Sequence, residues 1–212
     1  MKKRKKLAII SIAIVVVCVL LDQLLKIWVK SNMEIGETIP LIGQWFNLYF
    51  VENPGMAFGL SFGDNLGKLA LSLLRLGVVG YLVYFIWNRI RKDEIDTLAV
   101  CVLSLIVAGA FGNIVDSAFY GLIYGYAPFM YGRVVDMIYV RLFVLPDWFP
   151  GFGGSYFFPA IFNFADACVT VGIVLMLCFY KHFFKDEKKS TECVDNKTAD
   201  AVAPAVSKED KQ

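Results

Sequence analysis

Five ionisable residues stand in or at the ends of apolar runs: Asp22, Lys26, Arg75, Asp116 and Asp166. A charge inside a membrane span costs about 2.5–3.5 kcal/mol on insertion scales and is a functional candidate by default. Asn53, Asn113 and Asn163 join them near the same ends of the runs. Asn113 and Asp116 are spaced i, i+3, as are Asn163 and Asp166, so each pair shares a helical face. Two such pairs at matching depth on different spans are not expected as ornament. Asp22 and Lys26, at i, i+4, also share a face. That spacing suits an internal ion pair with Lys26 snorkelling outward, and leaves a direct part in chemistry open. Asp136 lies in RVVDMIYV, between Val134, Val135, Met137 and Ile138. A carboxyl so poorly solvated should titrate high, as one of two carboxyls sharing a site does; alone, it also reads as a solvated loop acid.

Other hydrolytic chemistries have little to work with. The one histidine, His182, follows Lys181 next to a basic tail, and no HExxH occurs, which excludes a zincin-type metalloprotease. A Ser–His or Cys–His hydrolase would need its base at position 182. Of the five cysteines (18, 101, 168, 178 and 193), none forms a CxxC, and most lie in apolar runs as small buried hydrophobes. Carboxylates remain as the groups able to carry a hydrolysis.

The elements that must position these groups are membrane spans. Hydrophobic residues make up 58% of the 212 and charged residues 19%, and mean hydropathy is +0.59. That composition excludes a disordered chain and a disulfide scaffold, and a net charge of +2 is too small a footprint for nucleic acid. Runs of about 20 apolar residues place spans at about 7–29, 66–87, 97–115 and 159–180. Lys2 to Lys6, the Arg89, Arg91 and Lys92 loop, and the flank from Lys181 to Lys189 carry the positive charge, while the two long loops are poor in it. Lys/Arg bias therefore puts both termini in the cytoplasm and both long loops outside. The first run lacks an A-x-A-like cleavage site and reads as an uncleaved anchor. Residues 186–212 are polar and aperiodic, a disordered cytoplasmic tail. The segment IPLIGQWFNLYFVENPGMAFGL alternates in part, predicting short strands over the site with Trp45, Phe46, Tyr49 and Phe50 at the interface. Gly55 and Gly59 suggest tight turns, and Gly109 and Gly112 suit close helix packing. The residues alone leave three function classes open: a carboxylate enzyme, a small transporter or proton relay using Asp22, Asp116 and Asp166, and a scaffold with polar groups as interhelical glue.

Five blocks, in order, narrow the choice: DQLLKIW at 22–28, NPGMAFG at 53–59, GAFGNIVD at 109–116, VVDMI at 134–138 and FNFADACVTVG at 162–172. Together they resemble the lipoprotein signal peptidases (signal peptidase II), bacterial membrane aspartic proteases. The resemblance spans residues 7 to about 184. It implies an all-α membrane protein of four transmembrane helices with a small extracytoplasmic β-cradle and an interfacial loop, acting as a monomer in the cytoplasmic (inner) membrane. It implies Asp136 and Asp166 as the catalytic pair. It implies Asn53, Gly55, Asn113, Asp116 and Asn163 as residues that hold substrate or support the site, and Asp22 with Lys26 as a structural pair. The implied substrate is a prolipoprotein with a diacylglyceryl-modified cysteine, cut without metal or cofactor. Membrane lipid is the other implied partner. Two departures stand out. The family's arginine after the GNxxD acid is Ser117 here, with Arg133 and Arg141 the available replacements. Asp116 and Asp136 are 20 positions apart, so 117–133 reads as an aromatic, interfacial insertion.

Overall fold

In lipid a backbone must satisfy its own hydrogen bonds, which is why the uncharged stretch 7–21 can only be helical. The computed structural model describes residues 2–54, 65–151, 153–157 and 160–183. It shows α1 (Lys2–Asn32), β1 (Thr38–Ile42), β2 (Phe46–Asn53), α2 (Asn65–Lys92) and α3 (Thr97–Val115). A π-helical turn (Asp116–Tyr120) and a short α4 (Gly121–Ile123) follow, then β3 (Val134–Val140), β4 (Ile161–Phe162), α5 (Phe164–Cys178) and α6 (Tyr180–Phe183). Among the described residues, three helical stretches are long and apolar enough to cross a membrane: Lys2–Asn32, Gly67–Lys92 and Thr97–Ile123. The helix α5 is apolar but has 15 residues. Residues 1–175 form one compact unit, and 176–212 a second whose described part holds the end of α5 and α6.

The fourth run begins later than position 159. Ile161 and Phe162 form β4 against Tyr139 and Ile138, and the helix starts only after Asn163. Strand pairing takes the residues that hydropathy alone assigns to the span. The third run is longer than expected, because the π turn carries the helix past Asp116 to Ile123.

The helix α3 is the middle element. Asp96 caps its start, accepting from the Ala99 backbone N–H at 2.9 Å. Its glycines let neighbours close in. A side chain at Gly112 would begin 2.7 Å from Asp22 Oδ2 on α1 and 3.1 Å from the Ala165 Cβ on α5. The helices α1 and α3 also share a Ser11–Ser104 hydroxyl bond of 2.7 Å. At their far end, Arg4 Nε donates to Asp93 Oδ2 at 2.7 Å, tying the start of α1 to the residue after α2.

The sheet is antiparallel in the order β1–β2–β3–β4. Pro40 sits on the edge strand β1, where a missing N–H is tolerated. Beneath the sheet Val29, Met33, Phe50, Tyr120, Val135 and Met137 form a buried apolar cluster. Phe50, expected at the lipid interface, is therefore a core residue: it points at Met137 and α1 rather than outward. The 117–133 insertion is likewise only partly interfacial, since Ser117, Ala118 and Tyr120 are buried while Phe119, Leu122 and Phe129 are exposed.

Candidate active site

Asp136 is held in the middle of β3, between Val135 and Met137, whose side chains go to the core. The register of β2 slips opposite it. Leu48 pairs with Ile138 and Val51 with Asp136, so Tyr49 and Phe50 together oppose Met137. A bulge re-aims neighbouring side chains, and beyond it Asn53 Nδ2 donates to Asp136 Oδ2 at 3.1 Å. Asp136 is 4% exposed. Burial pushes its carboxyl up to about 7, the nearby Asp166 charge adds to the rise, and the two asparagine donors oppose it.

Asp166 is positioned by a helix start. Asn163 Oδ1 accepts from the Asp166 backbone N–H at 2.9 Å, and Asp166 Oδ2 accepts from the Asn163 backbone N–H at 3.3 Å. This reciprocal pair is a capping box. The Asn163–Asp166 spacing is thus cap and third helical residue, rather than two residues on one helix face. With its oxygen used by the cap, Asn163 donates through Nδ2 to Asp136 Oδ1 at 2.7 Å and to Asn113 Oδ1 at 3.0 Å. One asparagine therefore touches both aspartates.

Lys26 fixes the rest. It is fully buried, so the expected snorkelling does not occur: the three N–H groups of its ammonium find three acceptors inside the protein. They are Asp22 Oδ2 at 2.8 Å, Asp116 Oδ2 at 2.7 Å and Asn113 Oδ1 at 3.0 Å. Since only the amide oxygen can receive an ammonium proton, Asn113 must turn its nitrogen outward, and Nδ2 donates to Asp166 Oδ1 at 2.8 Å. The two acids of this triad reach the Asp136 strand and the Asp166 helix through the backbone. Asp22 Oδ1 accepts from the Ala165 N–H at 2.9 Å, and Asp116 Oδ2 from the Val135 N–H at 3.3 Å. Ala165 precedes Asp166, and Val135 precedes Asp136. Asp116, expected among substrate-binding residues, is wholly buried in this role and offers no surface to a substrate.

Asp22, Lys26, Asn53, Asn113, Asp116, Asp136, Asn163 and Asp166 all join this network, whereas Arg75, half-buried on α2, makes none of these bonds. Gly55 lies outside the described residues. Gln23 was not singled out, yet its Nε2 donates to Asp116 Oδ1 at 2.8 Å and its Oε1 accepts from the Tyr120 hydroxyl at 3.1 Å. Its signal was an uncharged polar side chain inside a span, directly after Asp22. At the missing arginine's position, the Ser117 hydroxyl donates to the Asn113 carbonyl at 3.0 Å. Of the two available replacements, Arg133 pairs with Glu52 at 3.3 Å, and Arg141 lies over the Tyr139 and Tyr156 rings. The string GLSFG at 59–63 fits the Gly-x-Ser-x-Gly pattern, but lies outside the described residues, and such a hydrolase would have only His182 as its base.

A family model described as "Signal peptidase (SPase) II" matches residues 14–182. The chain belongs to the signal peptidase II family. It is 42% identical over 187 residues to a lipoprotein signal peptidase of Porphyromonas gingivalis, covering 79% of this chain and 81% of that protein. The lipoprotein signal peptidase of Amoebophilus asiaticus is 39% identical over 176 residues, with 77% and 74% covered. Among solved structures, two described as a bacterial membrane enzyme solved by the in meso method match with TM-scores of 0.60 and 0.59. They are 26% and 29% identical, cover 84% and 83% of this chain, and are themselves covered to 91% and 93%. Signal peptidase II membership accounts for the five sequence blocks and leaves the transporter and scaffold readings without support.

Proposed function

We propose that this signal peptidase II works as an aspartic endopeptidase on diacylglyceryl-modified prolipoproteins, cutting the peptide bond before the lipidated cysteine. The observation that carries the reading is Asn163, which binds Asp136 Oδ1 and caps the helix turn of Asp166. Two carboxyls brought to one asparagine cannot both ionise cheaply, so the pair shares a proton. Asp136, the member pushed up by burial, keeps it. The ionised Asp166 takes a proton from water as its oxygen attacks the scissile carbonyl carbon. Asp136 gives its proton to the carbonyl oxygen. As the resulting gem-diol collapses, Asp166 passes the proton taken from water to the leaving amine. The hydroxyl returns a proton to Asp136, so both acids regain their starting states. Neither metal nor cofactor enters. Asn53, Asn113 and Asn163 orient the two acids, and Gly55 is assigned to substrate binding.

The helix α5 completes a fourth span in this reading, with the sheet and both aspartates at the outer face of the bacterial inner membrane. Both termini are cytoplasmic, residues 186–212 are a cytoplasmic tail, and the enzyme is a monomer. Substrate enters sideways from lipid, each buried acyl CH₂ adding about 0.8 kcal/mol of affinity irrespective of peptide sequence.

Asp136→Asn and Asp166→Asn are expected to abolish cleavage of a lipidated precursor, read as a gel shift, while the protein still accumulates in the membrane. Full turnover in either variant ends the aspartic assignment.

A further inference from the structure

The chain between β3 and β4 makes a second hairpin that the site does not use. Val144 pairs with Tyr156, the Leu145 N–H donates to the Ser155 carbonyl at 2.8 Å, and the Phe157 N–H donates to the Phe143 carbonyl at 2.8 Å. The Phe143 and Phe157 rings stack at 4.9 Å. At the tip, Gly151 and Gly154 take positive φ values of 79° and 76°, which turn the chain back. A folded hairpin normally puts polar side chains in water. This one exposes Leu142, Phe143, Val144, Trp148, Phe149 and Phe157, with Trp148 78% exposed.

Charge is almost absent. From Leu142 to Ala165 the only charged residue is Asp147, in the tip turn, its Oδ1 3.5 Å from where a Gly154 side chain would begin. At the neck, Arg141 spreads its guanidinium over Tyr139 and Tyr156 at 4.8 and 5.7 Å from the ring centroids. The Arg141 backbone N–H donates to the Trp45 carbonyl at 2.6 Å, joining the neck to the β1–β2 turn, where Trp45 and the preceding Leu41 and Ile42 of β1 are also exposed. The far end of the hairpin returns through β4 directly into the apolar helix α5.

An aromatic tip with Asp147 as its single charge, a cation at the neck and a root on a membrane helix match one surface. We propose that the 142–157 hairpin inserts Trp148 and Phe149 into the acyl–headgroup boundary of the outer leaflet, as a lipid-binding foot of the sheet. Apolar faces at such a boundary sit about 5–10 Å into it, with aromatic rings at headgroup level. The foot fixes the height of β3, and so of Asp136, above the hydrocarbon. A water-facing patch of this kind would be an association liability, and no acidic or basic rim marks it for a protein partner. The proposal rests on the outward placement of the sheet given above.

The test is fluorescence of Trp148 in proteoliposomes, with Trp28, Trp45 and Trp87 replaced by Phe. Lipids brominated near the headgroup end of the acyl chain are expected to quench the emission several-fold, while aqueous iodide leaves it unchanged. If that variant does not fold, the full chain is compared with Trp148→Phe, which should lose part of the bromolipid-quenchable emission. Iodide quenching without bromolipid quenching overturns the proposal. So does protection that appears only with added lipidated precursor, or only at high protein density, which would make the patch a substrate or self-association surface. Bromolipid contact is read without any cleavage, and an alkaline phosphatase fusion after Arg141 reports which face the sheet occupies without any lipid contact. Failure of the foot is therefore distinguishable from failure of the peptidase assignment or of its orientation.

Discussion

Removing the Asn53 amide takes from Asp136 one of the two asparagine donors that favour its ionised form. Cleavage needs one proton on the pair, so activity should hold below, and fall as pH rises through, the point at which Asp136 ionises, about 7. The apparent value belongs to the coupled pair rather than to one residue. Asn53→Ala is expected to move this alkaline limb to higher pH, because the lost bond stabilised the charge. A pH–rate profile with a limb that stays or moves down would detach the limb from Asp136. Stability runs in the same direction. Between the ordinary carboxyl value of 3.8 and about 7 the folded chain keeps a proton that the unfolded chain has released. Folded stability should therefore decline as pH rises through that window and level off above it, which thermal unfolding in detergent would show. The residues of this centre were legible in the sequence because charges and amides in apolar runs are conspicuous. Their wiring was not. That Asn163 caps α5 and also holds Asp136 depends on β3 arriving beside the helix start, a pairing of positions 27 apart along the chain.

The triad Asp22–Lys26–Asp116 ties together α1, the end of α3, β3 and α5. Its geometry explains why close packing and catalysis should fail together. Lys26→Met leaves two buried carboxylates without their cation, a loss of about 3–5 kcal/mol in comparable buried pairs. Glycine substitutions test the same point more finely. A Cβ at Gly112 collides with the Asp22 carboxylate that holds the Ala165 N–H, so Gly112→Ala should cost about 1–3 kcal/mol, as overpacking does, and lower cleavage. Gly80 on α2 has open space around it, and Gly80→Ala should be neutral or add up to roughly 1 kcal/mol. Melting temperatures and turnover of the two variants in one detergent decide the matter; equal effects would remove the special role of α3's glycine face. Hydropathy located α1, α2 and α3 because each is a long run. It misplaced the start of α5 because a two-residue strand carries no periodicity. It gave no sign of the π turn at 116–120, in which the Ser117 hydroxyl bonds back to the Asn113 carbonyl.

For the whole molecule the question is which side of the membrane holds the aspartates, and charge placement supports the proposed orientation, which the net charge of +2 conceals. Lys2, Lys3, Arg4, Lys5 and Lys6 precede α1, and Arg89, Arg91 and Lys92 end α2. The Arg4–Asp93 bond joins these two basic groups, so they face the same compartment whatever the orientation. Translocating both would carry eight cations across the bilayer, against the bias that retains Lys and Arg in the cytoplasm. The sheet follows from the opposite ends of the same helices: α1 ends at Asn32 and β1 begins at Thr38, while α3 runs through the π turn toward β3. Alkaline phosphatase, active only outside the cytoplasm, should therefore be active when fused after Arg141 and inactive when fused after Lys92 or Gln212. Activity after Lys92 with none after Arg141 would put Asp136 in the cytoplasm. Activity after both Arg141 and Gln212 would leave the aspartates outside but remove α5 as a fourth crossing.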